Sequence, residues 1–109
     1  MLIENFKETM EFLTTAVISI PEHIDRDSLD ALVRAERARS KELAGSGELL
    51  RAWRTPGYWG NWCLWREPNV AALVTALDSL PLSQFMEITI HSLEPHPGDP
   101  GPTSRLDAH

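Results

Sequence analysis

An α+β domain of order β-α-β-β-α-β is predicted by three features of this sequence: two helical stretches with an apolar face, extended segments rich in Val, Ile, Thr and Trp, and prolines at the junctions. Residues 12–20 are rich in Thr, Val and Ile and are closed by Pro21, which predicts a strand. A helix follows, with Asp25 as its N-cap and Gly45 or Gly47 as its stop. On its wheel Leu29, Leu32, Val33, Glu36, Ser40 and Leu43 share one face, while Arg34, Lys41 and Glu42 point away. Residues 49–55 and 60–66 are extended segments on either side of the turn signal Pro56-Gly57, and so form a hairpin. Asn69 caps a second helix with Val70, Leu73, Val74 and Leu77 on its apolar face, and the helix ends before Pro81. Residues 85–93 make the last strand. This order is the ferredoxin-like arrangement, in which both helices cover one face of a four-stranded antiparallel sheet.

The sheet has apolar groups on both faces. In the third strand Asn61, Cys63 and Trp65 share one side and Trp62 and Leu64 the other; in the first, Phe12, Ala16 and Ile18 oppose Leu13 and Val17. Two helices can cover only one side. A homodimer with the sheets facing each other, a dimeric α+β barrel, is therefore expected.

With 109 residues, 42% of them hydrophobic, the chain has material for one core and not for two. It has no apolar run long enough to span a membrane, and Glu4, Lys7 and Glu8 interrupt any secretory signal, so a cytoplasmic protein is expected. The single cysteine, Cys63, cannot form an internal disulfide and reads as a small hydrophobe on the sheet. A formal charge of −6 argues against nucleic acid and points to small molecules or other protein chains as partners. His91 and His96 lack an evident third ligand, so no metal is expected. The stretch 98–109 is a Pro/Gly-rich tail, expected to be extended or disordered if alone.

Glu36 is the residue out of place. A carboxylate in the middle of an apolar helix face must be satisfied by a partner or be working as an acid or base. From the residues alone, a structural ion pair with an arginine and a catalytic role both account for it. Arg54 and Asn61 likewise read either as solvated strand and turn residues or as site groups, and Tyr58 and Trp59 either as turn packing or as a pocket wall.

A family resemblance then bears on these alternatives. Ile20-Pro21, Ala35-Glu36, Trp53-Arg54 followed by Gly57 and Asn61, Leu80-Pro81-Leu82, Met86, Ile88 and His96-Pro97 together resemble the muconolactone delta-isomerase family, without a gap from Met10 to Pro97. The resemblance implies residues 10–97 as the family domain, with residues 1–9 an N-terminal extension. It also implies a ferredoxin-like subunit, facing-sheet dimers, five of them in a decamer, and a reaction in aromatic-compound breakdown that needs no metal or organic cofactor. In that reaction a base removes the ring proton beside the lactone oxygen, charge gathers on the lactone carbonyl, and the acid so formed protonates the carbon next to that carbonyl.

Glu36 is then the proton carrier, its burial lifting its pKa toward the neutral range. Arg54 and Asn61 are expected to stabilise the dienolate oxygen. Arg37 or Arg51 would hold the substrate carboxylate, and Trp53, Tyr58 and Trp59 would wall the pocket. Departures from the family pattern fall near that wall. Trp59 stands for the usual tyrosine, Ser83-Gln84-Phe85-Met86 for Phe-Pro-Tyr-Met, and Arg66 for an acid, which leaves a substituted lactone, or elimination of chloride from one, open as the chemistry. A ligand-binding relative without catalysis is a further alternative, and an RNA-binding sheet, suggested by the aromatics of residues 57–62, is a remote one that the acidic charge opposes.

Overall fold

The computed structural model describes residues 8–101, so most of the predicted N-terminal extension and the tail from residue 102 lie outside the described residues. The elements are β1 (Met10–Ile18), α1 (Arg26–Gly45), β2 (Leu49–Arg54), β3 (Gly60–Glu67), α2 (Val70–Asp78) and β4 (Met86–Leu93). The strands form one antiparallel sheet of order β2-β3-β1-β4, the ferredoxin-like arrangement. No helix among the described residues is long and apolar enough to cross a membrane.

Local chemistry sets the ends. Asp25 Oδ1 accepts the Ser28 N–H at 3.1 Å and Asn69 Oδ1 the Ala72 N–H at 2.8 Å, so each helix starts on a side-chain cap. At the far end of α1 the Glu48 N–H returns to Leu43 O, and Gly47, at φ +86°, turns the chain into β2, a backbone state that favours glycine. Two strand boundaries differ from the sequence reading. β1 begins at Met10, because Glu67 at the end of β3 pairs with it, and stops at Ile18. β4 begins at Met86, because Phe85 belongs to a 3-10 turn whose N–H closes on Leu82 O at 2.9 Å. Pairing partners decide where a strand ends, and one segment's composition does not contain them.

The helix-covered face is closed at one end and open at the other. Phe12, Leu43, Trp65, Leu73, Ala76, Leu77 and Leu80 form the core where the start of β1, the end of β3 and both helices meet. Trp65 contributes most to it; full burial of such a ring is worth about 4–6 kcal/mol gross at about 25 cal/mol per Å². Its indole Nε1–H donates to Thr14 Oγ1 at 2.9 Å, so the buried polar atom is satisfied. Toward the other end, Leu29, Leu32, Val33, Glu36 and Ser40 of α1 are only half-buried, whereas Leu43 is fully buried. The helix stands off the sheet along that stretch.

The uncovered face carries Leu13, Val17, Trp62 and Leu64, as the alternation of β1 and β3 predicts, together with Arg51 and Trp53 of β2. Trp62 and Trp65, set on opposite sides of β3 by the sequence, differ sharply in burial. Trp65 is core, while Trp62 lies on the open face with 47% of its surface exposed. A period of two places neighbouring odd and even positions on opposite sides.

At the closed end Glu67 is an unusual buried acid. It is 4% exposed, and its Oε2 has no hydrogen-bond partner among the described residues. Burial, a hydrogen bond with Glu48 and the Glu48 charge push its carboxyl up to about 7. Glu48 moves the opposite way, lowered chiefly by the Ser46 hydroxyl, which donates to Oε2 at 2.6 Å, and by Glu67. Glu67's folded value exceeds its unfolded one, so its stabilisation is full below the ordinary carboxylate range and is lost as the pH rises through about 7. Glu67→Gln, which keeps the shape without the charge, should melt close to the wild type at about pH 4 and a few degrees above it at about pH 8. Calorimetric melting curves at the two pH values check this.

Candidate active site

The space left between α1 and the sheet is a cavity of about 1190 Å³. Its floor is the edge of the core, at Trp65, Leu77 and Leu80. Its sheet wall is Ala16, Asn61 and Cys63, and its mouth is the β2–β3 turn with Tyr58 and Trp59. That turn is shaped by Gly57 at φ +92° and by the Thr55 hydroxyl, which donates to Tyr58 O at 3.1 Å. Gly60 follows, against β1: a Cβ there would collide with Ala16 O and the Tyr58 ring, so glycine lets β3 begin beside β1 under the turn.

Glu36 enters from α1, half-buried. Its Oε1 accepts the Leu82 backbone N–H at 2.9 Å. Burial raises its pKa above the ordinary carboxylate value, and the Leu82 hydrogen bond partly opposes the rise. Among the described residues Glu36 makes no ion pair; the pairs present there are Arg39 with Glu42 and Arg66 with Glu11, both away from the cavity. The structural ion-pair reading of Glu36 therefore finds no support in these contacts. Arg37 and Arg54 line the same cavity, and among the described residues neither has a carboxylate partner. Asn61 Oδ1 accepts the Cys63 thiol at 3.5 Å, which turns its amide nitrogen toward donating elsewhere.

Of the residues singled out in the sequence, Glu36, Arg37, Arg54, Tyr58, Trp59 and Asn61 come together at this cavity. Arg51 and Trp53 do not. They lie on the opposite sheet face, with the Arg51 guanidinium 4.9 Å from the centre of the Trp53 ring, a cation–π contact. Alternation along β2 decides this, since Arg54 pairs with Asn61 on the helix side while Trp53 pairs with Trp62 on the open side.

Two groups escaped sequence reasoning. The Leu82 amide is 46 positions from Glu36, and no side-chain pattern announces a backbone donor. Cys63 is more than sheet filler, since it lines the cavity within the field of Glu36, and burial followed by that charge pushes its thiol up to about 11. Its alternation with Asn61 was the available signal. Among the described residues no group of three or more His, Cys, Asp or Glu could hold a metal ion. His91 is on β4, and His96 lies beyond it, where its Nδ1 accepts the Gly98 N–H at 2.7 Å.

A ferredoxin-like domain with a half-buried carboxylate and two arginines that have no carboxylate partner among the described residues, all around one cavity, is equipped for acid–base work on an anionic small molecule. The chain belongs to the muconolactone delta-isomerase family, whose pattern it matches over residues 10–99, and by that membership it is an isomerase. The muconolactone delta-isomerase of Pseudomonas aeruginosa is 31% identical over 88 residues, covering 81% of this chain and 92% of that protein. The protein of the same name from Rhodococcus opacus is 32% identical over 82 residues, covering 75% and 88%. A crystal structure of muconolactone isomerase matches with a TM-score of 0.77 at 28% identity, over 83% of this chain and 94% of that one.

The Glu36–Cys63 proximity has a direct readout. In Glu36→Gln the thiol loses a negative neighbour, so its alkylation by iodoacetamide should reach half-maximal rate at a lower pH than in the wild type, yet still above that of an exposed cysteine, because the burial remains. With the wild-type thiol at about 11, the shift is read as faster alkylation of the variant at each pH from about 8 to about 10.

Proposed function

We propose that this protein is a cofactor-free isomerase of aromatic-compound breakdown that shifts the ring double bond of a muconolactone-type lactone, with Glu36 as the proton carrier. The observation that carries the reading is a half-buried carboxylate of raised pKa, without an ion pair among the described residues, in a cavity it shares with Arg37, Arg54 and Asn61. Ionised Glu36 takes the proton from the ring carbon bonded to the lactone oxygen. The C–H electron pair moves into the conjugated system, and the dienolate charge rests on the carbonyl oxygen. Protonated Glu36 then returns its proton to the carbon beside the carbonyl, so one C–H bond breaks, one forms, and the double bond moves by one position.

Arg54 and the Asn61 amide are the donors assigned to the dienolate oxygen, where charge appears only during reaction. Arg37 is assigned the substrate carboxylate as a bidentate partner. Arg51, on the far face of the sheet, is too remote from this cavity for that role within one subunit. Tyr58 and Trp59 supply the apolar wall.

Glu36→Gln keeps size and hydrogen bonding and removes the base, so turnover of a lactone panel should fall by at least about a hundredfold with the fold intact. In wild type, kcat/KM should decline on the acid side at a pH above the ordinary carboxylate range, because burial raises the group that must be ionised. Initial rates across pH 4–8, with NMR detection of ring-hydrogen exchange in heavy water, test both points. Near-normal turnover by Glu36→Gln would remove Glu36 from the mechanism.

The assembly assigned to the chain is a facing-sheet dimer, with five dimers in a decamer, in the cytoplasm. The domain is residues 10–97, with residues 1–9 and 98–109 as flanking extension and tail. Support comes from the open sheet face, where Val17, Trp53 and Trp62 are 43%, 44% and 47% exposed in the single chain. Trp62→Glu should convert the dimer contact to monomer, read as a drop in mass by light scattering, with Glu36 and its cavity on the other face undisturbed.

A further inference from the structure

Glu36 has a single hydrogen-bonding partner among the described residues, and that partner is backbone. Leu82 N–H reaches Oε1 at 2.9 Å, and Oε2 has no donor there. The turn that presents this N–H is held from several directions. Pro81 has no N–H of its own, the Ser83 N–H closes on Leu80 O at 3.0 Å, and the Phe85 N–H closes on Leu82 O at 2.9 Å. The side chains of Leu80 and Leu82 are both buried, which anchors the turn in the layer between the helices and the sheet. A fixed donor therefore meets a side chain with several rotatable bonds.

We propose that the Leu82 backbone amide is a positioning group for Glu36, fixing Oε1 so that Oε2 is the oxygen that takes and returns the proton. This rests on the reading of Glu36 as proton carrier. A free carboxylate offers two equivalent oxygens and turns about its terminal torsion, so neither is aimed. Once Oε1 accepts the N–H bond, its lone pair is engaged and its electron density is drawn off, and Oε2 is left as the more basic atom of a side chain that lines the cavity. A single aimed oxygen can reach both ring carbons of the double-bond shift from one face of the ring, with only a small swing. Charge-assisted hydrogen bonding also favours the ionised acid, against the desolvation that favours the neutral one. The amide thus keeps a desolvated acid usable as a base.

The other titratable or charged groups around this carboxyl are Arg37 on α1, Arg54 on β2, Tyr58 in the turn and Cys63 on β3; β4 and α2 contribute Met86, Ile88 and Leu77, which do not titrate. Both arginines belong to substrate binding in the reading above, and the causes that set the Glu36 carboxyl are its burial and the Leu82 hydrogen bond. The Leu82 amide acts with or without substrate.

The substrate-free test follows the Leu82 amide proton and nitrogen by NMR as the pH is varied. Their shifts should titrate with the midpoint of the Glu36 carboxyl carbon in the wild type and lose that step in Glu36→Gln. A Leu82 amide indifferent to the Glu36 titration overturns the proposal. The kinetic test replaces the amide N–H of residue 82 by an ester oxygen, with the leucine side chain retained. The acid limb of kcat/KM should then move to higher pH and kcat should fall about tenfold with little change in KM, because a charge-assisted hydrogen bond is lost without loss of substrate contacts. An ester variant with the wild-type limb and kcat, beside a Glu36→Gln variant that is inactive, defeats this proposal alone. Full activity of Glu36→Gln defeats instead the proton-carrier reading on which it stands. If the ester variant does not fold, the NMR titration of the wild type still decides.

Discussion

The closure of the helix–sheet layer at one end only is the constraint on which the rest of this structure depends. Trp65, seated on Phe12 and held by its indole hydrogen bond to Thr14, draws the end of α1 and the whole of α2 onto the sheet. Large side chains hold the layers apart at their own thickness, and toward the β2–β3 turn the sheet sets the small Ala16, Ala52, Asn61 and Cys63 under α1 beside Ile18, Met86 and Ile88. Small groups cannot fill that spacing. The cavity is thus a consequence of side-chain size along β1 and β3, and the stability of the filled end allows the other end to remain open.

Two acids in this small domain show how placement separates function from structure. Glu36 and Glu67 are both raised above the ordinary carboxylate range, and in both burial is the leading cause. Glu67 lies at the closed end against Glu48, where its proton is a structural ligand and its ionisation is a cost to the fold. Glu36 lies beside open space with one backbone donor and two arginines in the same cavity, so its ionisation can be coupled to a bound molecule. A perturbed pKa alone does not distinguish the two, but cavity access and partners do.

Much of the architecture was legible in the residues. Asp25 and Asn69 announced their caps, Gly47 and Gly57 their turns, and the alternation of β1 and β3 separated Trp65 from Trp62. The candidate site was legible in part. Glu36 stood out because a charge interrupted an apolar face, and Asn61 because the family pattern includes it and the hairpin after Arg54 carries both toward one pocket. The opposite placement of Trp53 and Arg54 follows from strand alternation, but which side faces the helices was harder to read, because β2 has an irregularity between Leu49 and Arg51. Residue type and spacing carry no mark of such a shift.

What the sequence by itself determined is the set of elements, the side of each strand that is apolar, and the single carboxylate set among hydrophobic neighbours, since these follow from periodicity and from the cost of burying charge. What only the tertiary structure decided is where α1 lifts away from the sheet, which arginines share the resulting space with Glu36, and that a backbone N–H from the turn before β4 reaches its oxygen. Those outcomes depend on distances between segments remote in sequence, and such distances are fixed by how side-chain volumes from every layer pack together.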